Sequence, residues 1–388
     1  MGGILLLALN LRPGATSIGP VLQELREGLG MTATQVGFLG ALPGLVFAVV
    51  GLAATALARR CGITGALLIA SGAIAVGLTA RAVVGNVPLF LVLTILAFAG
   101  MGLGNVLVPP FIRHRFPFKI AALTTVYTTG LALGSTIPPL LSAPIAEATD
   151  WRYSIGLWGI TGIAAFLVWS GVAVTQRGSE DPVRSQQRTD ALPIWALLRS
   201  RKAVALAVFF GMQSMQAYIQ FAWAPQMFRD GGLSPAYAGA LLSLIAALGI
   251  PGGLFMPTIV ARVRNLTPII LTFAALLVVG YLGILFAPTA APVLWATALG
   301  LSGVCFPTAI ALITARSREV RVTAPLSALV QSMGYGFAAL GPFLVGIAYD
   351  AFGSWDVPLW VLIGSAAVLA TAGIVAARPG YVDDELAV

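Results

Sequence analysis

The feature that most restricts this chain is the recurrence of long apolar runs. A bilayer core takes ~20 residues of helix to cross. Runs of that length lie at about residues 3–26, 33–58, 63–83, 88–112, 119–146, 152–175, 202–228, 235–261, 267–287, 291–315, 323–349 and 355–377 of the 388 residues. No soluble core can bury so many. Only 9% of residues are charged, against about 25% in a soluble domain, too few to cover a surface in water. The 44 glycines and 24 prolines would punctuate soluble helices, but membrane helices tolerate both, because neighbours re-satisfy the backbone. None of the runs alternates in the strict manner of a barrel strand, which excludes an outer-membrane β-barrel. The expected class is an all-α integral membrane protein of twelve transmembrane helices.

The charges between the runs give an orientation. Of the 22 Lys and Arg, 17 fall in the even-numbered loops and the C-terminal tail, and only Arg26, Arg81, Arg152 and Arg229 in the odd ones. By the positive-inside rule the even loops and both termini face the cytosol of a cell whose inner membrane holds the protein. The longest polar stretch, Arg177 to Lys202, follows the sixth run. It predicts a six-helix bundle over residues 1–176, a cytosolic linker over 177–201, and a second bundle with a short tail over 202–388. The halves also resemble each other. At an offset of 204, Gly130 meets Gly334, Pro138 meets Pro342, Trp151 meets Trp355 and Tyr127 meets Gln331. At 198, Gly102, Val106 and Pro109 meet Gly300, Val304 and Pro307; at 202, Gly30 and Gly37 meet Gly232 and Gly239. Parallel six-helix repeats mark one large transporter architecture. No small-residue cleavage site follows a short apolar opening, so the first helix is expected to act as its own insertion signal, with a polar N-terminal tail missing before it.

Twelve runs, a 6+6 split and a polar central loop resemble the major facilitator superfamily over the whole chain. The opening Asn10-Leu11-Arg12-Pro13-x-x-x-Ser17-x-Gly19-Pro20, with Gly37-x-x-x-Ala41-Leu42-Pro43, is similar to the cyanate and 2-nitroimidazole transporter family. The superfamily's loop pattern Gly-x-x-x-Asp-Arg-x-Gly is replaced here by Thr55-x-x-x-Arg59-Arg60-Cys61-Gly62, without the first Gly and the Asp. A gating salt bridge built on that Asp is therefore not expected. The resemblance implies a small polar or anionic substrate.

Arg12 stands near the middle of the first run, with no acidic residue in that run before Glu24. A charge there costs ~2.5–3.5 kcal/mol on insertion scales, so it should face the bundle interior or a wet cavity. Thr16, Gly19 and Gln23 follow on one helical stripe. All 14 Asp and Glu fall at loops, helix ends or tails. Arg12 thus has no buried counter-ion, and a substrate anion can supply one, met by a bidentate donor fork. The alternative is a structural Arg that serves backbone carbonyls or snorkels to the surface. The same inventory provides no midplane carboxylate for a proton relay; a coupled proton would enter on the substrate anion.

In the seventh run Gln213, Gln216 and Gln220, extended by Trp223, share a face. Amides in hydrocarbon need a cavity or a neighbouring helix. Since the first and seventh runs are repeat-related, this face is expected to look at Arg12; interhelical hydrogen-bond glue is the alternative. Tyr127 and Gln331 occupy matching repeat positions, with Tyr335 one turn beyond, and Asn105 sits in a glycine-rich stretch of the fourth run. Pro109-Pro110 and Pro307 are expected to break or bend their helices. The candidate substrate site is therefore Arg12, Thr16, Asn105, Tyr127, Gln213, Gln216, Gln220, Trp223, Gln331 and Tyr335.

His114, between Arg113 and Arg115, reads as a surface residue, and Cys61 and Cys305 form no disulfide framework. One histidine leaves no metal site, and no nucleophile elbow or phosphate loop occurs. No enzyme, cofactor or nucleic-acid partner is expected. The expected partners are a small anion, a proton if transport is coupled, and the bilayer, with the chain acting as a monomer. Two other functions stay open: export of neutral nitroheterocycles, resting on Trp223, Tyr127, Tyr335 and Phe306, and a non-transporting receptor or scaffold.

Overall fold

A computed structural model describes residues 1–175 and 192–386 of the chain. Among these, eleven helices are long and apolar enough to cross a membrane. The twelfth expected span, Arg201–Asp230, is a 30-residue helix that fails on apolarity alone. Its four glutamines and terminal charges lower its hydropathy, and it can carry them because most of its residues are buried among other helices. The order is α1 over Gly2–Leu29, then Ala33–Arg81, which turns at Gly62 and so supplies α2 before the turn and α3 after it. There follow α4 Val87–Arg115, α5 Ile120–Ala148, α6 Trp151–Thr175, α7 Arg201–Asp230, α8 Pro235–Arg262 and α9 Thr267–Phe286. The set ends with α10 Pro292–Ala315, α11 Val320–Phe352, α12 Asp356–Ala377 and a single turn, α13, Val382–Glu385. Most of the expected linker lies outside the described residues; its end, Ile194–Arg199, is a 3-10 turn.

Local chemistry sets the boundaries. Thr32 caps α2 by accepting from Gln35 N while the Gln35 side chain takes the Thr32 N–H, a reciprocal capping box. Asn86, Ser200 and Ser234 accept from the third residue beyond them and open α4, α7 and α8. Prolines behave less uniformly. α4 runs through Pro109 and Pro110 without a break, whereas α10 is interrupted after Ser302, at Gly303-Val304 and ahead of Pro307. In a membrane bundle a proline costs one backbone bond that neighbours can replace, so its presence alone does not fix a break.

Successive helices run antiparallel, which gathers Arg59, Arg60, Arg113, Arg115, Lys119, Arg316, Arg318 and Arg321 at one end, here the basic end. The first six and last six helices meet mainly at the other, far end. There α2 lies backbone to backbone on α11: a Cβ on Gly44 would stand 2.8 Å from Ala339 N and Tyr335 O, and one on Gly37 2.8 Å from Pro342 O. The α5–α8 seam closes likewise, with Ser243 Oγ donating to Thr136 O at 2.7 Å. Two polar latches cross the same end. Arg229 of α7 pairs with Glu24 of α1 at 2.7 Å and also donates to Pro20 O and Gln23. Asp350 of α11 accepts from the backbone N–H of Ala33 and Thr34 and from the Thr34 hydroxyl, capping α2 from the opposite half. Toward the basic end the halves part, and a Cβ on Gly51 would meet nothing within 4 Å.

Candidate functional site

The site starts from a defect in α1. Pro13 has no N–H to continue the preceding helix, which ends at Leu9; a separate turn begins at Pro13 with Arg12 at its cap position. The carbonyls this frees are served locally. Asn10 Nδ2 donates to Leu6 O (2.8 Å) and the buried Arg81 to Gly14 O (3.1 Å), while the Asn10 side-chain oxygen accepts from Thr161 (2.8 Å). The break turns Arg12 out of the helix wall into a cavity of about 460 Å³ between α1, α2, α4 and α11.

Asn105, Gln331 and Tyr335 line that cavity with Arg12. Asn105 is oriented by two bonds: its amide donates to Met101 O at 3.0 Å and its oxygen accepts from Tyr127 at 3.4 Å. Gln331 Nε2 is held by Ser327 at 2.8 Å. The Tyr335 ring meets Phe47 and Phe210 edge-on. Arg12 forms no ion pair with a described residue. It reaches the Tyr218 hydroxyl and lies in the electrostatic neighbourhood of Tyr127 and Tyr335. The arrangement is one guanidinium, two amides and phenol hydroxyls on an aromatic wall, without a carboxylate: a set that can neutralise and hydrogen-bond an anion.

Other expected members lie elsewhere. Thr16 is buried, with its hydroxyl on Arg12 O and Gly134 O, both at 3.2 Å, so it ties α1 to α5. The expected stripe from Arg12 through Gly19 and Gln23 does not form: Gly19 packs on Phe221 O, and Gln23 belongs to the far-end latch. The glutamine face of α7 points away from Arg12. Gln216 donates to Ser365 Oγ (2.6 Å) and accepts from Tyr281 (2.6 Å), and Gln220 donates to Tyr281 (3.5 Å), all inside the second half. Gln213 is buried within the same half. Trp223 donates to Pro342 O and packs against the rings of Tyr349, tilted, and Trp355, edge-on, at the far end.

Tyr218 takes the place expected of the glutamines. It lies roughly 160° around α7 from Gln216 and Gln220 at 100° per residue, with Phe221 on the side that meets α1. Phe47, also on the wall, was not among the expected residues; the signal that could have found it is that it is the one large residue in the stripe Gly37, Gly40, Gly44, Phe47, Gly51, whose first three glycines meet the other half.

The sequence profile described as Major Facilitator Superfamily matches residues 4–315. The chain belongs to the major facilitator superfamily. Among its relatives, the 2-nitroimidazole transporter of Escherichia coli (strain K12) is 30% identical over 97% of this chain and 95% of that one. The cyanate transport protein CynX of the same organism is 28% identical, covering 91% and 90%. The fold is that of the nucleoside transporter NupG, with a TM-score of 0.76 at 12% identity over 95% of this chain and 97% of that one. This superfamily member is a transporter rather than an enzyme, and its cavity lies between two halves closed at one end, as alternating access requires.

Proposed function

We propose that this transporter moves a small monovalent anion, bound by Arg12 in the central cavity with Asn105, Gln331 and Tyr335 completing its hydrogen bonds. The observation that carries the reading is Arg12 itself, a guanidinium on the cavity wall with no carboxylate partner among the described residues. A bound anion offsets the cost of that charge, and the site is re-exposed when the halves rock. The bundles of residues 1–176 and 202–388 are the rocking bodies, acting within one monomer. The basic end faces the cytosol, and the protein resides in the inner membrane. The relative that transports cyanate, itself an anion, supports the substrate class. With no acid on the cavity wall, any coupled proton travels on the anion.

A second reading has one observation in its favour. The walls formed by Phe47 and Tyr335 suit a flat neutral ring, and the 30% identical relative transports 2-nitroimidazole. Thermal-shift titration of the purified protein with small monocarboxylates, cyanate and nitroimidazoles separates the two. The anion reading expects shifts from the ionised ligands alone, lost in a folded Arg12→Ala variant. Undiminished binding and transport by that variant would overturn it and leave Arg12 structural.

A further inference from the structure

Behind the transport cavity, where α1, α3 and α6 meet, three buried N–H groups find no acceptor among the described residues. They are Arg81 Nε, Arg81 Nη2 and Trp158 Nε1. Arg81 is fully enclosed and spends one other donor on Gly14 O. No described carboxylate pairs with it. α3 and α6 cross closely here: a Cβ on Gly159 would meet Thr79, and one on Gly156 would meet Ala82. Trp158 therefore stands beside the turn of α3 that carries Arg81. One turn further along the same face of α6, Thr161 holds Asn10, and Arg81 holds Gly14 O, so the Trp158 face of α6 and the end of α3 flank the broken stretch Asn10–Gly14 of α1.

Among the described residues of the first six helices, every buried side-chain atom left unpartnered is thus a donor, and two of the three sit on a cation. A water could accept two of these bonds but would bring two O–H groups of its own that need acceptors. An acceptor-only ligand with a negative charge satisfies all three donors and removes the cost of an enclosed, unpaired guanidinium. We propose that Arg81 and Trp158 hold a halide-sized monovalent anion, distinct from the transported solute, that pins the break in α1 and so fixes where Arg12 points.

The test measures thermal unfolding of the full chain in nanodiscs, titrating sodium chloride or bromide against sodium gluconate at constant ionic strength. The expected result is saturable stabilisation by either halide. It should persist in Arg12→Ala, which separates this site from the central cavity. It should be lost in Arg81→Met. Trp158→Phe, which keeps the ring and removes one donor, should weaken half-saturation about tenfold, the scale of one hydrogen bond to a charged group, and it serves if Arg81→Met fails to fold. Absence of a halide effect beyond ionic strength would overturn the proposal. So would an effect that survives in both Arg81→Met and Trp158→Phe, or one abolished by Arg12→Ala instead.

Discussion

Single residues differ in how far their neighbours can be read from sequence. Arg12 was legible because a charge inside an apolar run has few places to go, and the proline after it explains how it leaves the helix wall. The glutamines of α7 were legible as a shared face, since spacing fixes that, but spacing does not say which neighbour the face meets. Gln216 meets Tyr281 and Ser365 within its own half. Replacing Gln216 with Leu would leave the Tyr281 hydroxyl without its acceptor in a dry interior, at ~1–3 kcal/mol for the unmade bond, while Ser365 keeps its bond to Leu362 O. The expected outcome is a lower midpoint of thermal unfolding with unchanged affinity for whatever ligand stabilises the parent. Gln331→Leu should do the reverse, keeping the unfolding midpoint and weakening that ligand roughly tenfold by isothermal titration, because its amide faces the cavity.

At the scale of helices, the glycine stripe of α2 carries information that hydropathy does not. Gly37 and Gly44 let α2 and α11 approach to backbone contact, Gly40 packs on Ala222 and Pro342, and a side chain at any of the three has nowhere to go. Gly44→Leu should act as a wedge at the far end rather than as a cavity mutation. Spin labels at Glu27 and Ala290 should report a longer distance in that variant, with the protein still folded. The C-terminal turn α13 shows a different element-level device, one that a short acidic tail did not announce. Asp383 accepts from the backbone N–H of Arg318 and Glu319, and Glu385 accepts from Ser200 Oγ and Lys202 N, so the tail caps the starts of α11 and α7. Burial pushes the Glu385 carboxyl up, but the Ser200 and Lys202 hydrogen bonds and the Lys202 charge outweigh it and hold the group below its usual range. A depressed carboxyl stabilises the docked tail fully above its unfolded value and loses that contribution as pH falls through the folded one. Hydrogen exchange at residues 378–386 should therefore stay slow near neutrality, after correction for the intrinsic rate, and accelerate once the pH drops below the ordinary carboxylate range.

The whole molecule is held in one of two states by contacts that no local pattern predicts, because each joins residues more than 200 positions apart. Glu24 with Arg229, and Asp350 with the start of α2, exist only while the far end is shut. Alternating access requires both to break in every cycle, whichever solute is carried. Each is a charge-assisted contact, for which ~1.5–3 kcal/mol is typical, reduced for the exposed members by solvent. Together they can add a few kcal/mol to the free energy of opening, and ~1.4 kcal/mol already changes a two-state ratio tenfold. Removing them with Arg229→Ala and Asp350→Ala should raise the far-open population without touching Arg12 or its cavity. A cysteine at Phe221, beneath the α1–α7 contact, then becomes the reporter. An impermeant thiol reagent applied from the far side should label it at least tenfold faster in the double variant than with the latches intact, each single variant lying between. Equal labelling rates would mean that the glycine-lined backbone contact of α2 and α11 alone keeps this end closed, and the Gly44→Leu wedge would then be the larger perturbation of the two.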